Sequence, residues 1–315
     1  MRLTRIVAIS GAVIAAIAVA AATGLGGKFP GSTSAPAAQQ PVTLPHSPAA
    51  YIGIYTRQAP QSYAGVTAFT AATGIRPSIV LYYSGWPEPF QAHFAATVAR
   101  HNAVPLVQMD PTGASIAAIA AGRYDDYLRS FASAVKAFDS RVILSFGHEM
   151  NGVWYSWGYR HVPPAVFVAA WRRIVTVFRQ QGADKVTWLW TVNVIHERGD
   201  IPSPAPWWPG RSYVNWVGID GYYYKPSWKF ASLFGPTIKE VRKLTLDPIL
   251  ISETAVAPSA GQPAKITDLI AGIRAYGLVG FVWFDVNKKR DWSLSSPAAI
   301  AAFARGARMF RRPVP

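Results

Sequence analysis

Eight short apolar runs, each separated from the next by a stretch long enough for a helix, constrain this chain more than any other feature. They fall at 51–56, 78–84, 104–110, 142–147, 185–192, 214–219, 248–252 and 278–284. Most are apolar along nearly their whole length, as in Val142-Ile143-Leu144-Ser145-Phe146 and Pro248-Ile249-Leu250-Ile251-Ser252. An unbroken apolar run, in place of alternation, marks a strand buried on both faces, the condition of a parallel sheet. Helical patterns occupy 90–101, 124–138, 164–181, 231–244, 263–276 and 297–310, and strand starts recur every 26 to 43 residues. That spacing suits βαβ units with right-handed crossovers, and eight such units close into a (β/α)8 TIM barrel. A doubly wound open sheet is the alternative, but no glycine-rich phosphate loop follows the first run to support it.

The barrel accounts for residues 49–315. Ahead of it, Met1-Arg2-Leu3-Thr4-Arg5 is followed by an uncharged run from Ile6 to Gly27, the pattern of a signal peptide or a single membrane anchor. The small residues Ala20-Ala21-Ala22 favour cleavage. Either way the barrel is expected outside the cytoplasmic membrane, secreted or anchored to its outer face. Residues 28–48 are dominated by Pro, Ala, Ser, Thr and Gln, a composition that cannot bury enough apolar area to offset ordering, and they read as a linker. With no cysteine in the chain, disulfides and thiolate metal sites are excluded.

The formal net charge is +15, and no acidic residue precedes Glu88. Lys and Arg are dispersed without a recognisable reading motif, which argues against nucleic acid as a partner. Electrostatic association with an anionic cell envelope is the expected use of this charge beyond ordinary solvation. A monomer is expected.

Two carboxylates stand out among only five Glu. Glu149 follows the fourth run directly and sits in His148-Glu149-Met150-Asn151-Gly152-Val153-Trp154-Tyr155-Ser156-Trp157-Gly158; Glu253 closes the seventh. A barrel presents the carboxyl ends of its strands at one mouth, so strand order alone puts both in one pocket, facing each other across it. A carboxylic acid among rings holds its proton to higher pH, and glycoside hydrolysis needs such an acid beside a second carboxylate. As purely structural residues the same Glu would be ion-pair partners. Separations of about 5–5.5 Å imply retention of configuration and about 6.5–9.5 Å inversion.

Other side chains gather at the same predicted ends. Trp86, Trp154, Trp157, Trp207, Trp208 and Trp283 offer flat rings for sugar faces, with Trp283 the foremost candidate for a floor; Trp188, Trp190 and Trp216 read as packing. His148 is placed to hydrogen-bond a carboxylate or a sugar hydroxyl, or to serve as a core histidine. Asn193 and Asp220 end the fifth and sixth runs as binding or strand-capping residues, and Asp110 and Asp285 read as hydrogen-bonding supports. One phenol of Tyr222-Tyr223-Tyr224 directed at Glu253 would favour its charged form. The remaining His are not spaced as zinc ligands, so neither metal nor cofactor is expected.

The segment from His148 to Gly158, together with Trp208-Pro209-Gly210 and Tyr213-Val214-Asn215-Trp216-Val217-Gly218-Ile219-Asp220-Gly221-Tyr222, resembles glycoside hydrolase family 26, a clan A family of retaining glycosidases. The resemblance runs in order over about 51–310. It implies a polysaccharide substrate, most often β-1,4-mannan cleaved internally, with other members acting on β-glucans or β-1,3-xylan. By that resemblance Glu149 is the acid/base, Glu253 the nucleophile, Tyr222 the residue that hydrogen-bonds the nucleophile, and His148 the substrate-side histidine. One departure concerns substrate choice: many members carry Arg four residues before the acid/base, where this chain has Ser145, with Arg57 at the end of the first run either a substitute cation or an ordinary surface salt-bridge partner. A β-glucan or an envelope polysaccharide is then the alternative substrate, and a non-catalytic glycan-binding barrel the alternative class.

Overall fold

A computed structural model of the chain describes residues 43–195, 201–288 and 290–310. Its eight strands are β1 (Tyr51–Thr56), β2 (Ile79–Gly85), β3 (Val104–Asp110), β4 (Val142–Phe146), β5 (Val186–Asn193), β6 (Trp216–Asp220), β7 (Ile249–Thr254) and β8 (Gly280–Asp285). All neighbours pair in parallel, and β1 pairs β8 from Tyr51↔Gly280 to Thr56↔Asp285, closing the barrel. The helices are α1 (Ala64–Thr73), α2 (Ala92–Arg100), α3 (Ile116–Ala120), α4 (Asp125–Phe138), α5 (Pro164–Gln180), α6 (Phe230–Leu244), α7 (Gln262–Ala275) and α8 (Pro297–Ala307). Among the described residues no helix is long and apolar enough to cross a membrane.

Burial on both faces explains the unbroken apolar runs. Alternate strand residues such as Val80, Val107 and Leu144 pack outward in one core with Phe131, Phe167, Trp171 and Phe178 of the helices. The intervening positions Tyr51, Ile79, Leu81, Leu106, Ile143, Leu189, Trp216, Leu250 and Val282 fill the barrel itself. Above this plug the lining turns small and polar: Ser145 and Thr191 share a hydrogen bond of 2.9 Å, and a side chain at Gly218 would collide with Thr191 and Ser252. The change from bulky apolar to small polar residues opens the mouth in which the functional groups stand.

Three sequence expectations need correction. The linker ends earlier than residue 48, because Leu44 is buried in the barrel plug, its amide bonded to Thr187 and the Tyr51 phenol to Pro45; one apolar residue in a polar tract suffices to dock it. Helices α1 and α3 were not anticipated: α1 is Thr-rich and lacks a side-chain cap, and α3 is a five-residue turn capped by Ser115. Strand β7 carries an extra residue. Its register slips against both neighbours, from Gly218↔Leu250 to Asp220↔Glu253 and from Ile251↔Phe281 to Thr254↔Trp283. Such a bulge re-aims side chains, and here it lets consecutive Ser252 and Glu253 both approach groups of the barrel interior. The targeting segment 1–27 and linker residues 28–42 lie outside the described residues.

Candidate active site

Strand β4 stops at Phe146 because the chain turns left-handed twice, at Gly147 (φ 54°) and at Glu149 (φ 55°). A side chain at Gly147 would meet Phe167 and Trp157, so glycine is required there both by angle and by space. The turn stays tied to both flanking strands: the Gly147 amide donates to Met109 of β3 and the Glu149 amide to Thr191 of β5. A left-handed non-glycine residue costs about 1–3 kcal/mol, strain that such ties can hold at a functional position.

Glu149 is buried, and both of its oxygens accept hydrogen bonds, Oε1 from the Asn193 amide and Oε2 from the Trp154 indole at 2.7 Å. Asn193 is itself clamped, since the Asn151 side chain accepts from its backbone N–H (2.8 Å) and donates to its carbonyl (2.9 Å), adding a strand-like rung at the end of β5. Burial pushes the Glu149 carboxyl up to about 7; His148 pulls it down, Glu253 pushes it up, and the two donors partly offset burial.

Glu253 accepts from two phenols, Tyr83 of β2 on Oε1 and Tyr222, just past β6, on Oε2 at 2.7 Å. Burial, with the adjacent Glu253 charge next, raises both phenols well above their ordinary range, so both remain donors at any physiological pH.

His148 is clamped between Asp110 of β3 (Nδ1 to Oδ1, 2.9 Å) and the Tyr155 hydroxyl (Nε2, 3.0 Å). Burial disfavours its charge, but Asp110 first, and then Glu253 and Glu149, outweigh that penalty and push the imidazole up to about 10. His148 is therefore a cation at neutral pH, set among the carboxyls. It supplies positive charge that the residue at 145 cannot, because Ser145 is buried and bonded to Thr191. Beneath Glu253, Asp220 is fully buried with Oδ1 accepting from Ser252 at 2.6 Å; burial, reinforced by Glu253 and Glu149, raises its carboxyl well above the usual range.

His148, Asp220 and Glu253 bring one ligand-type atom each within 4.8 Å of one another. Both imidazole nitrogens and both Glu253 oxygens already have hydrogen-bond partners, whereas Asp220 Oδ2 is buried with none among the described residues.

The tryptophans separate into different tasks. Trp154 is 47 % exposed and stands at Glu149, offering a ring to solvent. Trp157 is buried, donates to the His148 carbonyl (2.9 Å) and stacks on Tyr155 at 4.3 Å, so it holds the site and presents no open face. Trp86 packs against Tyr124, Tyr127 and Phe146. Trp283 is not the floor of the cleft: it is fully buried on the outer side of β8, edge-on to Phe303 of α8. Phe284, one residue on, faces inward against Tyr55 and Tyr222, and Trp292 packs on Tyr222 at 4.8 Å. Tyr83, Tyr155 and Trp292 are the site residues the sequence reading passed over. Strand parity signals Tyr83, which shares its face with Ile79 and Leu81; no comparable signal marks Trp292, which lies in a loop. Asp285 accepts from the Leu294 amide (2.8 Å), a support as expected.

A closed eight-stranded barrel with two buried carboxyls in different settings at its mouth defines a glycosidase-type (β/α)8 protein. Residues 79–303 match glycosyl hydrolase family 26, and the chain belongs to that family. It is 31 % identical over 259 residues to Endoglucanase H of Acetivibrio thermocellus, covering 77 % of this chain and 29 % of the relative. It is 26 % identical over 114 residues to Mannan endo-1,4-beta-mannosidase A and B of Caldalkalibacillus mannanilyticus, covering 33 % of this chain and 21 % of the relative. The chain thus matches less than a third of the length of either. In fold it is similar to a modular endo-β-1,4-mannanase from Cellulomonas fimi, with a TM-score of 0.64 and 17 % identity over 84 % of this chain and 74 % of that one. The chain is thus a member of glycosyl hydrolase family 26 built on a (β/α)8 barrel.

Proposed function

We propose that the chain is a retaining, endo-acting β-glycan hydrolase, with β-1,4-mannan as its leading substrate, Glu149 as acid/base and Glu253 as nucleophile. The observation that carries this reading is the difference between the two carboxyls. Glu149, pushed up to about 7, holds a proton near neutral pH. Glu253 is oriented by two phenol donors, a geometry that aims an anionic oxygen. In the first step Glu253 forms a bond to the anomeric carbon as that carbon's bond to the leaving oxygen breaks, and Glu149 passes its proton to that oxygen. In the second step water bonds to the anomeric carbon as its ester bond to Glu253 breaks, and Glu149, with the Glu253 charge that adds to burial in raising its carboxyl neutralised in the ester, takes that water's proton. Asn193, Trp154, His148 and Tyr222 are the substrate- and carboxyl-positioning groups of this scheme.

Reducing-end release from mannan, mixed-linkage glucan and β-1,3-xylan tests the reading, with the anomer of the first product followed by proton NMR. Loss of turnover in both Glu149→Ala and Glu253→Ala with a β product supports it; an α product points to inversion, and full activity in either variant rejects it. A β-glucan is the second reading, favoured by the longer match to Endoglucanase H. For location we propose export, secreted or held at the outer face of the cytoplasmic membrane, on the charge and hydropathy pattern of residues 1–27. Fractionating cells that express the full chain tests this, and recovery from the cytosol overturns it.

A further inference from the structure

Two guanidinium groups stand at the mouth of the cleft, and among the described residues neither forms an ion pair with a carboxylate. Arg57 follows β1 and lines a cavity of about 520 Å³ together with Tyr55, Tyr83 and Asp110. Arg290 lies over the rings of Tyr224 (5.1 Å) and Trp292 (5.6 Å). One loop arranges both. Asn287 and Asp291 bridge to form a small antiparallel turn that carries Arg290, and the Arg57 guanidinium donates to the Asn287 carbonyl.

Each guanidinium is a short relay of rings away from Glu253. Arg57 neighbours Tyr55, whose ring meets Tyr83 at 4.9 Å, and Tyr83 donates to Glu253. Arg290 sits on Tyr224 and Trp292, whose rings meet Tyr222 at 6.1 and 4.8 Å, and Tyr222 donates to Glu253. The phenols register both charges: burial raises Tyr55 and Tyr224, Glu253 raises Tyr55 further, Glu149 and then Glu253 raise Tyr224 further, and Arg57 and Arg290 respectively pull them down. The acids near the mouth are otherwise occupied. Asp110 pairs with His148, Asp285 and Asp291 accept from the Leu294 and Ser293 amides, and Glu88, in the Arg57 cavity, accepts from the Gly85 amide.

A neutral sugar hydroxyl does not need a guanidinium, whereas a carboxylate matches its fork of donors. We propose that the cleft takes a carboxylate-bearing form of its β-glycan in preference to the neutral polymer, with Arg57 and Arg290 each binding a carboxylate carried by a sugar that flanks the cleaved bond. This rests on the hydrolase reading of Glu149 and Glu253. The net charge of +15 agrees with it, since a basic surface draws in a polyanion over distances beyond contact.

The test compares mannan and mixed-linkage glucan, each before and after partial oxidation of its C6 hydroxymethyl groups to carboxylates. Two measurements are made: reducing-end release by the full chain, and calorimetric binding of matched oligosaccharides to Glu149→Gln, which needs no turnover. The oxidised ligand is expected to bind about tenfold or more tightly at low ionic strength, the size of one charge-assisted pair. That preference is expected to shrink with salt, and to fall severalfold in Arg57→Gln and in Arg290→Gln. Equal binding of oxidised and parent ligands, or a preference that both variants keep, overturns the proposal. Charge-selective binding without release of reducing ends from any glycan leaves this inference standing and rejects the hydrolase reading instead.

Discussion

The Tyr83 phenol, projecting from β2, donates to Oε1 of Glu253 on β7, so the two carboxylate oxygens are held from opposite flanks by Tyr83 and Tyr222. This bond crosses the barrel mouth and depends on the extra residue in β7 that turns Glu253 inward. A hydrogen bond to a charged acceptor contributes about 1.5–3 kcal/mol. Tyr83→Phe keeps the ring contacts with Tyr55 and His148 and removes only the donor. The expected outcome is a fall in kcat/KM of roughly ten- to a hundredfold with an unchanged circular dichroism spectrum. Wild-type kinetics in Tyr83→Phe would show that Glu253 is positioned by Tyr222 alone.

The Asp110–His148 pair sets a pH dependence. Asp110 is the main reason His148 is raised to about 10, against its burial, and the charged imidazole in turn lowers Glu149. In the proposed scheme Glu149 holds its proton in the first step, so kcat/KM is expected to fall on the alkaline side with an apparent pKa of about 7. Asp110→Asn keeps an oxygen that accepts from Nδ1 but removes the charge. His148 then titrates lower and loses its cationic form near neutrality; Glu149 is relieved of a positive neighbour and holds its proton to higher pH. The alkaline limb therefore moves upward while the maximal rate drops, and a limb that stays in place or moves down contradicts this coupling.

The strands were legible because every one is buried twice over, which writes an apolar run into the sequence regardless of tertiary detail. The two Glu were legible for the same reason, each being the first carboxylate after such a run. Helix α1 was not, since its Thr residues dilute the periodic signal and packing supplies the stability that propensity does not. The β7 bulge was invisible because register exists only between strands. Trp283 shows an error that parity corrects: Val282 and Phe284 face the interior, so the residue between them faces the helices, however close it lies to the strand end. The remaining partners of Glu149 and Glu253, Trp154 and Tyr222, come from loops whose reach only the closed barrel determines, whereas Tyr83 and Asn193 sit on strands.

That placement of Trp283 has a measurable consequence. Its ring is wholly buried between β8 and α8, beside Phe303. Trp283→Ala leaves a large cavity and is expected to cost about 3–5 kcal/mol of stability, read as a lowered urea midpoint. KM for the best glycan should change little under conditions where the variant stays folded. A stable Trp283→Ala with a greatly raised KM would put the ring back in the cleft.

Glu149 links activity to stability through its burial. Its folded pKa, pushed up to about 7, lies above the ordinary Glu value of 4.5. For an acid with a raised folded pKa, the unfolded state releases its proton first as pH rises. The stabilising contribution of the protonated form is therefore full below about 4.5 and is lost by about 7, beyond which the buried anion weighs against the fold. Glu149→Gln keeps the shape and removes the titration. Its midpoint of thermal unfolding should match the wild type near pH 4 and exceed it by a few degrees at pH 8, while hydrolysis falls by about 10²–10⁴-fold. A variant less stable than the wild type at both pH values would mean that Glu149 contributes through its charged hydrogen bonds to Asn193 and Trp154, and that burial does not dominate its protonation.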